Sequence, residues 1–180
     1  MAYVGVITDS GRILRAKQVM SAITHVAVGT GDPSWDPNNP PQPDPSQTGL
    51  INEVARKESY KKTFLIEDPT GSLAIAEDPD NPSLVRYFAE TNQETNIIAI
   101  FFRFEEWEAV DVAIQEYGFF GDGVQYVNGG TAYAEGGVYD PVNNPNGQVL
   151  YPGKLYRVVN VPKKVKTSSD SIEFVFFERF

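Results

Sequence analysis

The sequence predicts a mainly β, α+β domain: an antiparallel, sandwich-like fold with one short N-terminal helix and long Pro- and Gly-rich loops. Three observations predict it. The apolar runs are short and strand-like, and the strongest is Ile97-Ile98-Ala99-Ile100-Phe101-Phe102-Arg103-Phe104. Aromatic residues are abundant, with 11 Phe and 9 Tyr, and aromatics favour strands and interface cores. Thirteen Pro and 15 Gly divide the chain into turns and loops. At 180 residues, the chain is expected to form one domain over 1–180.

Asp9-Ser10-Gly11 offers helix-capping oxygens. Ile13, Ala16 and Met20 follow at helical spacing, which predicts an amphipathic helix over 10–21. Its Arg12, Arg15 and Lys17 read as a solvated outer face. Ile23 to Val28 is apolar on both faces and reads as a central strand ended by Gly29-Thr30-Gly31. From Asp32 to Gln47 the chain is nearly all Pro, Asp, Asn, Ser and Gln, which predicts a surface loop or arm with Trp35 as its one large apolar residue. Leu50 to Val54 reads as a helical turn, followed by a strand-like run to about Ile66. Leu73 to Ala76 and Leu84 to Ala89 are strand candidates across the turn-rich segment 78–82. The run from Ile97 to Phe104 suits a strand buried on both sides, and Val110 to Phe120 reads as the next strand. The region 121–152 is Gly- and Asn-rich and reads as loop. Leu155 to Val161 and Ser171 to Phe180 read as a final strand pair. Lys163, Lys164 and Lys166 fall in their connection, where lysines blunt a sheet edge.

Composition narrows the function classes. A formal charge of −9, with only 15 scattered Lys and Arg, opposes binding to nucleic acid or an anionic membrane surface. The absence of cysteine excludes disulfides, thiol catalysis and thiolate metal sites. No apolar run approaches the ~20 residues of a membrane span. The start of the chain lacks the pattern of a secretory signal, so synthesis in the cytoplasm is expected.

Candidate chemistry is sparse. His25 is the only histidine and sits mid-strand among apolar neighbours, so it reads as structural rather than catalytic. Glu105, Glu106, Glu108 and Asp111 surround Trp107. Paired carboxylates beside an aromatic are what a glycosidase requires, yet adjacent strand-end glutamates point to opposite faces. A solvated loop is the plainer reading. The acidic arm lacks the regular ligand spacing of a calcium loop, and Gly29-Thr30-Gly31 lacks the further residues of a phosphate loop. No catalytic residue, metal or cofactor is expected.

Three short motifs carry a resemblance. They are Thr8-Asp9-Ser10-Gly11 with the helix after it, then Leu50-x-Asn52-Glu53-x-x-Arg56, then Glu116-x-Gly118-Phe119-Phe120-x-Asp122-Gly123. In this order the chain resembles the N-terminal, baseplate-anchoring domain of phage tail-collar and tail-fibre proteins, in patches over roughly the first 125 residues. The resemblance implies a virion structural protein that connects the tail baseplate to tail fibres, without turnover. It implies baseplate and fibre proteins as partners, possible self-association as a homotrimer, and a place in the virion tail. The chain stops at Phe180 without a repetitive shaft, which suits either a separate adaptor or a truncated fibre. Glu53 and Arg56 are expected to form a structural ion pair on one helical turn. Aromatic and loop composition nominates Trp35, Tyr126, Tyr133, Tyr139, Phe174, Phe176, Phe177 and Phe180 as partner contacts. A carbohydrate-binding module for host-surface glycan is the alternative, and a glycan-cleaving enzyme using Glu105 or Glu108 is the third class.

Overall fold

The computed structural model describes residues 5–78, 81–128, 131–132, 138–139 and 148–180. Among them are one helix and thirteen strands. The order is α1 (Asp9–Ala22), β1 (Ile23–Gly29), β2 (Glu53–Glu58), β3 (Lys61–Glu67), β4 (Leu73–Asp78), β5 (Asn81–Thr91), β6 (Ile97–Phe104), β7 (Ala113–Gly121), β8 (Gln125–Asn128), β9 (Thr131–Ala132), β10 (Val138–Tyr139), β11 (Gln148–Tyr151), β12 (Lys154–Val165) and β13 (Ile172–Arg179). They build three sheets, with strand orders β10-β2-β1-β7-β12, β11-β8-β9 and β13-β6-β3-β5-β4. The described ladders are antiparallel. The chain divides into two compact units.

The first unit comprises Met1–Ser21, Lys62–Ile100 and Phe176–Phe180. Its helix is capped by Thr8 rather than by Asp9. The Gly11 N–H donates to Thr8 Oγ1 at 3.1 Å, and the Arg12 N–H donates to the Thr8 carbonyl at 3.0 Å. Ala16 is the fully buried helix residue, while Arg12, Arg15 and Lys17 are exposed. Lys62 Nζ donates to the Met20 carbonyl at 2.9 Å, satisfying an end-of-helix acceptor. In the β3-β5-β4 ladder, Phe88 lies opposite both Glu67 and Leu73. Phe88 is buried against Phe177, ring centroids 5.0 Å apart, and Glu67 accepts from both Arg86 and Arg179 at 2.7 Å. The last residue is tied down twice: the Phe180 N–H donates to the Asn96 carbonyl at 2.9 Å, and Asn96 Nδ2 donates to the Phe180 carbonyl at 2.7 Å.

The second unit comprises Ala22–Lys61 and Phe101–Val175. Here β1 is flanked by β2 and β7, and every β1 residue except Thr24 is buried. That is the two-faced burial its sequence predicts. Strand β7 lays Phe119 against Phe102 of β6 at 5.4 Å and Tyr117 against Phe174 of β13 at 4.9 Å. Phe104 meets Phe174 edge-on at 6.1 Å. Aromatic side chains of two sheets thus interleave, which is the sandwich-like packing expected.

Four sequence expectations are corrected. The final two strands do not pair with each other: β12 pairs with β7, and β13 stands beside β6 at the end of another sheet. The reason is that β7 is buried and needs a ladder on each side, which β12 supplies along its length. Lys163 and Lys164 belong to β12, not to a connection, and Lys166 just beyond is fully buried. Leu50–Val54 is a bend leading into β2, not a helical turn, because Ile51 and Asn52 give their N–H groups to a side chain. The 121–152 region contains β8 and β9, β10 and β11, so it is partly sheet.

Candidate functional site

The second and third motif segments meet where β1, β2 and β7 lie side by side, and the meeting is organised by a buried carboxylate. Glu116 on β7 is fully buried opposite Gly29. It accepts hydrogen bonds from the backbone N–H of Asn52 (2.8 Å), Ile51 (3.0 Å) and Gly31 (3.3 Å). Three backbone donors replace the water a carboxylate loses on burial. Asn52 extends the junction: its carbonyl accepts from the Thr30 N–H at 3.0 Å, and its Nδ2 donates to Thr30 Oγ1 at 2.6 Å. Both ends of the proline-rich loop are therefore pinned to one charge.

Two glycines make the approach possible. A Cβ on Gly29 would lie 2.5 Å from Glu116 Oε1 and 2.6 Å from the Asn52 carbonyl oxygen. Gly31 has φ 65°, and a Cβ there would meet Trp35 Cζ3 at 2.4 Å. The Trp35 ring lies against Gly31 and is half-buried within its own unit.

Beside this junction stands a second buried charge. Arg56, with no exposed surface, donates Nε to Glu53 Oε1 and Nη2 to Glu53 Oε2, both at 2.7 Å. Its Nη1 donates to the Pro152 carbonyl at 2.6 Å, and its guanidinium lies 4.1 Å from the Phe120 ring centroid. Residues three apart on a regular strand face opposite sides. Here the register shifts: Val28 faces Ala55 while Gly29 faces Glu53. The extra residue, Val54, forms a bulge that returns Glu53 to the Arg56 side. The expected helical turn is thus replaced by a strand bulge as the source of the contact. Asp122, near the end of the third motif, pairs with Lys154 at 2.7 Å on the surface.

The proline-rich arm owes its course to aspartates. The N–H groups of Ser34, Asn38 and Ser46 donate to Asp32, Asp36 and Asp44 Oδ1 at 2.8, 2.9 and 2.8 Å. Each is an Asx turn, which substitutes for backbone pairing where proline has removed donors. The arm then lies along β12, whose Lys163 N–H donates to the Pro37 carbonyl at 2.7 Å and whose Asn160 Nδ2 donates to the Pro41 carbonyl at 2.9 Å. The arm thereby covers part of a sheet edge.

Several carboxyls are held below their ordinary range. Hydrogen bonds from Ser34 do this to Asp32, from Ser46 to Asp44, from Thr70 to Asp68 and from Thr167 to Asp170; Arg179 and Arg86 do it to Glu67. Each folded carboxylate binds protons less readily than its unfolded counterpart. Their stabilisation is complete above the ordinary values of 3.8 for Asp and 4.5 for Glu and is lost as pH falls through the lower folded values. The urea midpoint is expected to hold steady from about pH 7 to 5 and to fall progressively below about pH 4.5. A midpoint unchanged down to about pH 3 would contradict this assignment.

The nominated contact residues are scattered. Phe176 is fully buried, so it is core and leaves the contact surface. Phe174, Phe177 and Phe180 are half-buried, the first two against the aromatic neighbours named above. Tyr126 lies in β8 and Tyr139 in β10, where Tyr139 faces Arg56 of β2 across the ladder. Tyr133 lies outside the described residues. His25 is buried, with Nδ1 2.8 Å from Thr24 Oγ1. Glu108 pairs with Lys57 at 2.5 Å, and its other oxygen accepts from the Glu105 N–H at 2.8 Å. That carboxylate is engaged in holding its own loop. Sequence reading missed the role of Glu116; the available signal was a charged residue inside a run buried on both faces.

A family model described as "Baseplate wedge 3 tail fiber network component" matches residues 4–177. The chain belongs to that family and is a structural component of a phage baseplate and tail-fibre network, as the motif resemblance implies. The match runs well beyond the first 125 residues and takes in β12 and most of β13. No curated protein matches the chain.

Proposed function

We propose that this member of the tail fiber network family is an adaptor that connects the tail baseplate to tail fibres in the virion, after synthesis in the host cytoplasm. It works by shape and burial, without turnover. One observation supports the reading best. The motif residues are spent on holding backbone: Glu116 fixes three N–H groups, and Arg56 fixes Glu53 and the Pro152 carbonyl. Charges tied this way hold two loops in place, as a connector under load requires. Baseplate and fibre proteins are its partners, and a homotrimer is the assembly that fibre symmetry favours.

Particles assembled without the protein are expected to keep their baseplates and to lose their fibres in negative-stain images. Fibres present at the normal number would overturn the connecting role.

A second reading has one specific observation behind it. Lys57, Glu58, Tyr60, Arg103 and Glu105 line a groove of about 260 Å³, with Tyr60 half-exposed beside charged groups. An aromatic next to charged donors and acceptors suits a sugar, although the groove is smaller than the usual ~300–1,000 Å³ ligand pocket. Binding of the isolated protein to a host-surface glycan, lost in Tyr60→Ala, would favour it.

A further inference from the structure

The loop between β6 and β7 is fastened at several backbone positions on either side of Trp107, yet it presents a bare indole. The Glu108 N–H donates to the Glu105 carbonyl at 3.1 Å, and the Glu105 N–H returns to Glu108 Oε2 at 2.8 Å. Glu108 Oε1 meets Lys57 Nζ at 2.5 Å, with both side chains about nine-tenths buried. Lys166 closes the other side. It is fully buried, its Nζ donates to the Glu106 carbonyl at 3.0 Å, its carbonyl accepts from Asp111, and its N–H donates to Val112. Burial lowers the Lys166 ammonium below the ordinary lysine range, opposed by nearby Glu108, Asp170, Glu106 and Glu105. Two non-glycine residues, Ala109 (φ 48°) and Asp111 (φ 62°), occupy the left-handed region. Such conformations persist only where surrounding contacts enforce them.

What this fastened loop displays is Trp107, 74% exposed, more than any other described aromatic residue. Exposed Glu106 and Asp111 flank it in sequence, and half-exposed Glu105 completes an acidic collar. A tryptophan on a rigid loop gives up little conformational entropy when it docks, which is the property of an interface hot spot.

We propose that Trp107 is an anchor that inserts into an apolar pocket rimmed by lysine or arginine on another protein of the baseplate and tail-fibre network. The proposal rests on the adaptor reading and names the surface that does the joining. Charge selects the occupant. A second copy of this chain carries a formal charge of −9 and would meet the acidic collar with repulsion. A glycan platform would need polar groups free to converge on the ring, whereas Glu108 is held by Lys57 and Glu105 lies 3.6 Å from Arg103.

The test uses full-length protein supplied in trans to particles that lack it. Trp107→Ala should keep the wild-type urea midpoint, because the ring is exposed, while its incorporation into particles falls about tenfold or more on immunoblots normalised to a tail-tube protein. The charge reversals Glu106→Lys and Asp111→Lys together should reduce incorporation as well. A photo-crosslinking residue placed at Glu106 should capture one virion protein other than this chain, at a segment containing Lys or Arg. Normal incorporation of Trp107→Ala, capture of further copies of this chain alone, or loss of glycan binding without loss of incorporation would each overturn the anchor. If the wild-type protein is itself absent from particles, the adaptor reading fails together with it. If wild type and Trp107→Ala are present equally, the anchor alone fails.

Discussion

Replacing Arg56 with Ala is expected to destabilise the protein by about 3–5 kcal/mol, the cost of breaking a largely buried ion pair. The reason is geometric. Arg56 has no exposed surface and fills three roles with one planar group: a two-pronged pair with Glu53, a bond to the Pro152 carbonyl, and a stack on Phe120. Its removal leaves Glu53 and a carbonyl without their donors and opens space beneath an aromatic ring. For a chain of this length the loss corresponds to a fall of about 6–20 °C in the unfolding midpoint. Arg56→Lys keeps the charge but not the fork, so it should recover only part of the loss. A double-mutant cycle with Glu53→Gln should show a coupling of roughly 0.5–3 kcal/mol. Additive losses would mean that the bulge at Val54 serves some purpose other than bringing the pair together.

Glu116→Gln is the second large effect, expected to cost about 2–4 kcal/mol. The side chain keeps its size, so packing is nearly unchanged. What changes is that one acceptor oxygen becomes a donor and faces N–H groups that are donors too. The carboxylate accepts three backbone N–H groups, from Gly31, Ile51 and Asn52, and an amide cannot satisfy them all. Because these groups fix both ends of the proline-rich arm, the effect should be local before it is global. Trp35 reports on it, since its ring lies on Gly31. In a Trp107→Phe background, Glu116→Gln should shift Trp35 emission to longer wavelength and admit protease cleavage within 32–47. Unchanged emission and unchanged protection would show that the arm is held by its contacts with β12 instead.

The sequence made local structure legible where one signal dominated. The run from Ile97 to Phe104 is apolar on both faces and matches β6 residue for residue. The helical spacing of Ile13, Ala16 and Met20 placed α1 to within a residue at each end. The pairing of β12 was not legible, because it is set by what β7 requires from a distant part of the chain. Glu53 and Arg56 meet through a bulge that no spacing rule reveals. Glu116 is another case: a carboxylate in an apolar strand announces burial, but its donors come from 85, 65 and 64 residues away in the chain. Tryptophans were ambiguous in both directions. Trp35, in a proline-rich loop, tucks onto its own unit, whereas Trp107, in a charged loop, stays exposed.

The most direct test of the central claim is antibody-gold electron microscopy of purified particles, using an antibody shown to bind the native protein. A connector between baseplate and fibres predicts gold clustered at the fibre roots on the tail tip. Gold along the fibre shaft, on the head, or nowhere on intact particles would contradict it.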